Sequence, residues 1–143
     1  MHQSAPRTLA TLYARYIDDR SFDRLSDIML QDIVVTAPNF SCEGLEAFVE
    51  ILQQLHKYSA TLHLIGNQFG EWKDGGYQGE TYCIANHIYE ENGEGRKWEV
   101  GIRYQDTIVD HDGHPMYSRR HLNVLWELDQ PLLVPAGTTP GAP

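Results

Sequence analysis

Residues 58–72 read YSATLHLIGNQFGEW, and at Tyr58 the spacing of apolar residues changes from a helical period to the alternation of a strand. Upstream of this point the pattern is helical. Leu9, Leu12, Tyr13, Tyr16 and Ile17 fall on one stripe of an amphipathic helix. Ser21 is placed to cap a second, short helix carrying Phe22, Leu25, Ile28 and Met29 inward. The β-branched run Ile33-Val34-Val35-Thr36 predicts a short strand, which Pro38 stops. From Gly44 to Lys57 the helical spacing returns, with Leu45, Phe48, Val49, Leu52 and Leu55 on one face.

Downstream, four strands come in a row: Ser59 to Trp72, Tyr77 to Glu90, Lys97 to Asp110, and Met116 to Glu127. Lys73-Asp74-Gly75-Gly76, Glu91-Asn92-Gly93-Glu94-Gly95 and His111-Asp112-Gly113 turn the chain between them. Short turns between consecutive long strands predict an antiparallel meander. Such a sheet must bury a face, and the three preceding helices cover it. The expected class is α+β: N-terminal helices packed on a strongly curved antiparallel sheet. A twisted sheet wrapped on helices makes a cone, with room for a cavity at its wide end. One domain is expected over residues 1–130. Residues 131–143, rich in Pro, Gly and Thr, read as a loose tail.

Composition narrows the function. The chain has 143 residues, 11 basic against 20 acidic, and a formal net charge of −9. Nucleic acid and anionic membrane surfaces attract basic patches, so neither is an expected partner. Met1-His2-Gln3-Ser4-Ala5-Pro6 has no apolar core for a signal peptide, and no stretch is long enough to span a bilayer. Cys42 and Cys83 are too few for a disulfide framework, which fits a reduced, cytoplasmic protein.

Two residues carry the chemistry: Asp18, at the end of the first helix, and His63, inside the first long strand. A carboxylate bonded to one imidazole nitrogen fixes the tautomer and stabilises the imidazolium that forms. An ordinary imidazole titrates at about 6.5, so its other nitrogen can take a proton at neutral pH. With no nucleophile beside it, such a dyad abstracts a proton, leading to β-elimination, double-bond migration or aldol closure. The plainer readings are a helix cap for Asp18 and a satisfied core histidine for His63, which shares its face with Thr61, Ile65 and Asn67.

Other residues divide in the same way. Tyr13 packs in the helical stripe or donates its hydroxyl to a ligand. His87 alternates with Cys83 and Ala85, a face with space for either a pocket or close packing. Trp98, Ile102 and Tyr104 line the core or a pocket. Arg103 and Arg120 hold an anion or pair with the many acidic residues. His111, Asp112 and His114 crowd one turn, but hairpin chemistry accounts for that turn and a metal site wants more ligands. There is no Gly-rich phosphate loop and no Gly-x-Ser-x-Gly elbow. No metal or cofactor is expected.

Three stretches resemble a known family. They are Leu12-Tyr13-Ala14-Arg15-Tyr16-Ile17-Asp18 with Phe22 and Leu25; Leu62-His63-Leu64-Ile65-Gly66-Asn67; and Glu80 to His87 continuing into Trp98 to Asp106. From Thr8 to Glu127 the chain resembles the SnoaL-like branch of the NTF2-like superfamily. The resemblance implies a cone-shaped α+β barrel. In scytalone dehydratase, bile acid 7α-dehydratase and hexachlorocyclohexane dehydrochlorinase, a catalytic Asp and His map onto Asp18 and His63. The bile acid enzyme has a functional tyrosine where Tyr13 stands, and scytalone dehydratase a second histidine that His87 matches. Where the bile acid enzyme has a last-strand arginine this chain has Val124, with Arg120 on the same face further back.

The resemblance implies a cofactor-independent, dehydratase-like lyase acting on a hydrophobic, oxygenated ring. Asp18 and His63 would be catalytic, and Tyr13, His87, Trp98, Tyr104 and Arg120 would contact substrate. An isomerase or polyketide cyclase on the same dyad is one alternative. A module that only binds a ligand or partner is another, because this fold hosts many functions.

Assembly is read from the faces of the strands. Tyr77, Thr81, Cys83, Ala85 and His87 form one face, and Tyr82, Ile84 and Ile88 the other. In the fourth strand Leu122, Val124 and Trp126 oppose Tyr117 and Leu125. Helices cover only the concave side, so a homodimer through the convex side is expected, or a trimer as in some relatives.

Overall fold

The computed structural model describes residues 3–133. The tail expected over residues 131–143 lies outside the described residues from 134 onward. Helix α1 (Ala5–Asp18) forms on the expected stripe, with Leu9, Tyr13, Tyr16 and Ile17 buried. Pro6 sits in its first turn, where the missing N–H has no intrahelical partner to lose. The next segment, Phe22–Asp27, is a 3-10 turn, and the Ser21 side chain makes no capping hydrogen bond. So short a segment closes too few bonds to offset α-helix nucleation, yet Phe22, Leu25, Ile28 and Met29 are still buried.

Strands β1 (Met29–Ala37) and β2 (Phe40–Glu43) make a hairpin around Pro38 and Asn39. Sequence pattern predicted only residues 33–36 of this pair. Helix α2 (Leu45–Leu52) tightens into a second 3-10 turn, Gln53–Lys57, instead of running to Lys57 as one helix. Then come β3 (Ala60–Lys73), β4 (Gly76–Glu91), β5 (Glu94–His111) and β6 (His114–Pro131), an antiparallel meander. Asn92-Gly93 and Asp112-Gly113 turn with positive φ at both residues, the two-residue hairpin geometry that matches strand twist.

The sheet order is β2-β1-β6-β5-β4-β3. It is mixed, because β1 runs parallel to β6. This differs from the all-antiparallel expectation. The free edge of β6 needs a partner for its backbone groups, and β1 supplies it while burying Ile33 and Val35 completely. The sheet curls around α1 without closing, the α+β cone architecture.

Two bulges in β6 correct the strict alternation read from sequence. Thr107 pairs with Arg119 but Ile108 with Tyr117, so Ser118 is an extra residue. Gly101 pairs with Trp126 but Ile102 with Val124, so Leu125 is another. Each extra residue moves the next stretch of strand to the opposite face. Tyr117 therefore joins Arg120, Leu122 and Val124 inside. Trp126 passes to the outer face, over Gly101, where any Cβ would collide with the indole. Leu62, Leu64, Phe69, Leu125, Trp126 and Leu128 are exposed. Among the described residues no helix is long and apolar enough to cross a membrane.

Deep under the curve lies a charged pair. Arg120 is fully buried, and its Nε and Nη2 donate to the two oxygens of Asp106 at 2.7 and 3.1 Å. The rings of Tyr104, Tyr13 and Tyr117 surround the guanidinium, 3.7, 4.4 and 4.5 Å from its central carbon. A charge at such a depth is tolerated only when paired, and removing one partner strands the other. Arg120→Met is therefore expected to cost about 3–5 kcal/mol, and the double change Arg120→Met with Asp106→Leu much less. Urea unfolding of the three proteins checks this; equal losses in the single and double variants would contradict it.

Candidate active site

The site begins where α1 ends. Arg20 takes a left-handed backbone (φ 58°), and Ser21 N–H donates back to the Tyr16 carbonyl at 2.8 Å. This tight exit leaves the Asp18 side chain over β3. That strand is at the sheet edge, so its outward N–H groups have no neighbouring strand to bond. Asp18 supplies the acceptor. Its Oδ2 accepts the His63 backbone N–H at 2.8 Å. Its Oδ1 accepts the His63 Nδ1–H at 2.7 Å and the Thr61 hydroxyl at 2.9 Å.

Burial alone would raise the Asp18 carboxyl. The hydrogen bonds from the His63 ring and backbone, the ring's charge and the Thr61 hydroxyl outweigh it, holding the group below the ordinary carboxylate range. Because a carboxylate only accepts, Nδ1 of His63 carries the proton, and in the neutral ring Nε2 is left as a lone pair. Tyr13 stands edge-on to this ring at 6.4 Å, and the His87 ring is 6.1 Å away.

His63 opens on a cavity of about 370 Å³. α1 contributes Tyr13 and Ile17 to its walls, α2 contributes Phe48 and Leu52, and the 3-10 turn after it contributes Leu55. The sheet supplies Ala85, Val100, Ile102, Leu122 and Val124. Val124, at the position where the resemblance implied an arginine in a relative, is thus part of an aliphatic wall. Exposed Asn39, Gln54, Lys57 and Glu127 line the open end.

Of the residues read from sequence, Tyr13, His63, His87, Trp98 and Tyr104 all meet at this cavity. Asp18 stands behind His63, bonded to it. Arg120 is placed elsewhere: it sits behind Tyr13 and Tyr104, committed to Asp106, and does not reach the cavity. Arg103 pairs with Glu80 through two bonds of 2.9 and 3.0 Å. His111 and Asp112 lie on an exposed turn, and among the described residues no three potential ligands gather around a metal position.

His87 is held from both sides. Its Nδ1 is 3.0 Å from the Trp98 carbonyl, so that nitrogen is the protonated one and Nε2 faces away as an acceptor. Its ring packs 4.3 Å from Trp98 and 5.0 Å from Tyr58. The Trp98 indole in turn donates to Glu127 at 3.0 Å. Burial pushes the Tyr13 phenol up to about 12, against the pull of Arg120, and Tyr104 also rises through burial. Both tyrosines thus stay protonated donors at neutral pH.

Sequence reasoning missed Arg20 and the full part played by Thr61. Thr61 was within reach, two residues before His63 on the same strand face. Arg20 had no local signal, because its partners lie on α1, on the segment after α2 and on β3.

The sequence model of the SnoaL-like domain family matches residues 4–121. No curated protein matches the sequence. Solved structures match in fold. A candidate scytalone dehydratase of Novosphingobium aromaticivorans is 22% identical, with a TM-score of 0.77, covering 97% of this chain and 93% of its own. Hexachlorocyclohexane dehydrochlorinase LinA type 2 is 18% identical, with a TM-score of 0.81 and coverages of 98% and 95%. The LinA type 3 enzyme of Novosphingobium barchaimii is 16% identical, with a TM-score of 0.80 and coverages of 96% and 94%.

The buried His87 gives a pH test. Burial, ahead of the opposing bond to Trp98, lowers its pKa from 6.5 to about 4. A depressed folded value means the unfolded chain binds the proton first as pH falls. Stability is therefore full above pH 6.5 and is lost between there and about 4. The loss is about 3 kcal/mol. His87→Asn, which keeps a donor for the Trp98 carbonyl but does not titrate, is expected to lack this component. Denaturant unfolding of both proteins at pH 7 and pH 4.5 measures it; parallel losses would contradict it.

Proposed function

The chain belongs to the SnoaL-like domain family, and from that premise we propose that it is a cofactor-independent small-molecule enzyme, a lyase of dehydratase type. The observation that carries the reading is the bond between Asp18 and His63 at the wall of a largely apolar cavity. In this reading Nε2 of His63 takes a proton from an acidic C–H, and Asp18 steadies the imidazolium. The substrate is a hydrophobic ring compound bearing oxygen, held by aliphatic walls. Tyr13 and Tyr104 offer phenol donors, and His87 and Trp98 complete the contacts. Loss of a leaving group from the carbon next to the carbanion completes the elimination. Isomerisation or ring closure uses the same first step. A purely binding module is less well supported, because it does not call for the His63 ring to be bonded to a carboxylate instead of a backbone carbonyl.

Two free cysteines, both buried, fit a reducing cytoplasm. We also propose a homodimer, or a trimer, joined through the outer face where Leu62, Leu64 and Trp126 are exposed. Sedimentation at micromolar concentration tests it. A species heavier than 16.3 kDa is expected, and a clean monomer contradicts the proposal.

The activity is tested by screening hydroxylated and keto ring compounds for elimination. His63→Ala is expected to lower turnover by about a hundred- to ten-thousand-fold. Asp18→Asn is expected to lower kcat as well, with ligand binding retained. Binding without turnover, unaffected by His63→Ala, would favour the non-catalytic module.

A further inference from the structure

Arg20 occupies a left-handed position just past α1, where glycine is the residue that fits without strain. Its side chain is tied to three segments. Nη1 donates to the Ile17 carbonyl at 2.8 Å and to the Thr61 hydroxyl at 2.7 Å. Nη2 donates to the Leu55 carbonyl at 3.2 Å. A guanidinium has only donors and a carboxylate only acceptors. The Thr61 hydroxyl has one proton. It must accept from Arg20, so its proton must go to Asp18, whose Oδ1 is 2.9 Å away. The direction of every bond in the chain is therefore fixed.

We propose that Arg20 and Thr61 are positioning residues, a one-way chain of hydrogen bonds that sets the Asp18 carboxylate against His63. Their effect on catalysis rests on the reading above; their effect on the carboxylate does not. Arg20 holds the end of α1, the turn after α2 and the start of β3 as one unit. Asp18 arrives on α1, His63 on β3, and Leu55 of the cavity wall on that turn. The dyad and the adjoining wall are thus registered by one guanidinium. Its charge also reaches the cavity, adding to the forces that disfavour a proton on His87.

Carbon-13 NMR of the Asp18 carboxyl, titrated with acid, tests this in the intact protein. The titratable groups around it are His63 on β3, and Cys83 and His87 on β4. Thr61→Val is expected to move the carboxyl midpoint upward, and Thr61→Ser to restore it. Arg20→Gly, compatible with the left-handed backbone, is expected to move it upward without loss of the fold. The double variant should shift less than the sum of the two, because both act through one oxygen. With a substrate in hand, Thr61→Val should lower kcat about tenfold with KM unchanged. An unmoved midpoint in Arg20→Gly or in folded Thr61→Val, or fully additive shifts, would overturn the proposal. Should Thr61→Val fail to fold, Arg20→Gly alone decides by the same titration. Failure to find any substrate leaves that titration decisive.

Discussion

The Asp18 carboxylate takes three hydrogen bonds from one edge strand: a backbone N–H, a ring N–H and a hydroxyl. Much of the structure depends on that contact. It closes the open edge of β3, which has no neighbouring strand on that side. It fixes where α1 lies along the sheet, and so where Tyr13 and Ile17 meet the cavity. It also keeps the charge of Asp18 within a half-buried setting, since three donors replace the water that burial removes. In the proposed function, a structural tie and a base-orienting group are the same atoms.

The cavity exists because the sheet is curved and one-sided. The bulges at Ser118 and Leu125 let β6 keep Tyr117, Leu122 and Val124 inside while sending Trp126 out. The narrow end of the cone is filled by Arg120, Asp106 and three tyrosines, a polar cluster that is not open to ligand. The wide end is left to aliphatic and aromatic walls, with the two histidines side by side on adjacent strands of one wall, their rings 6.1 Å apart. Two imidazole lone pairs are thus presented to a largely apolar space.

Local features were readable in the sequence, and distant ones were not. The stripe on α1 and the alternation of β3 to β6 follow from side-chain period, and Asn92-Gly93 and Asp112-Gly113 announce their turns. The parallel pairing of β1 with β6 has no such signature, because a strand's own residues do not state the direction of its partner. β2 is too short to give a pattern. The bulges broke the face assignment of Tyr117 and Trp126, since a period of two fails after one unpaired residue. Asp18 and His63 were singled out from their chemistry and from the family resemblance. Arg120 could be read as an anion holder or as the partner of an acidic residue, and only the fold names that acid, because Asp106 lies on another strand. Arg20 was invisible for the same reason: its three partners come together only in the fold.

Asp18 holds His63 with Nδ1 protonated and Nε2 free toward the cavity. Nitrogen-15 NMR of the His63 side chain, recorded where the ring is neutral, reads this directly. A protonated Nδ1 and a pyridine-like Nε2 are expected, with that preference weakened in Asp18→Ala. A neutral ring carrying its proton on Nε2, or one unchanged by Asp18→Ala, would contradict it.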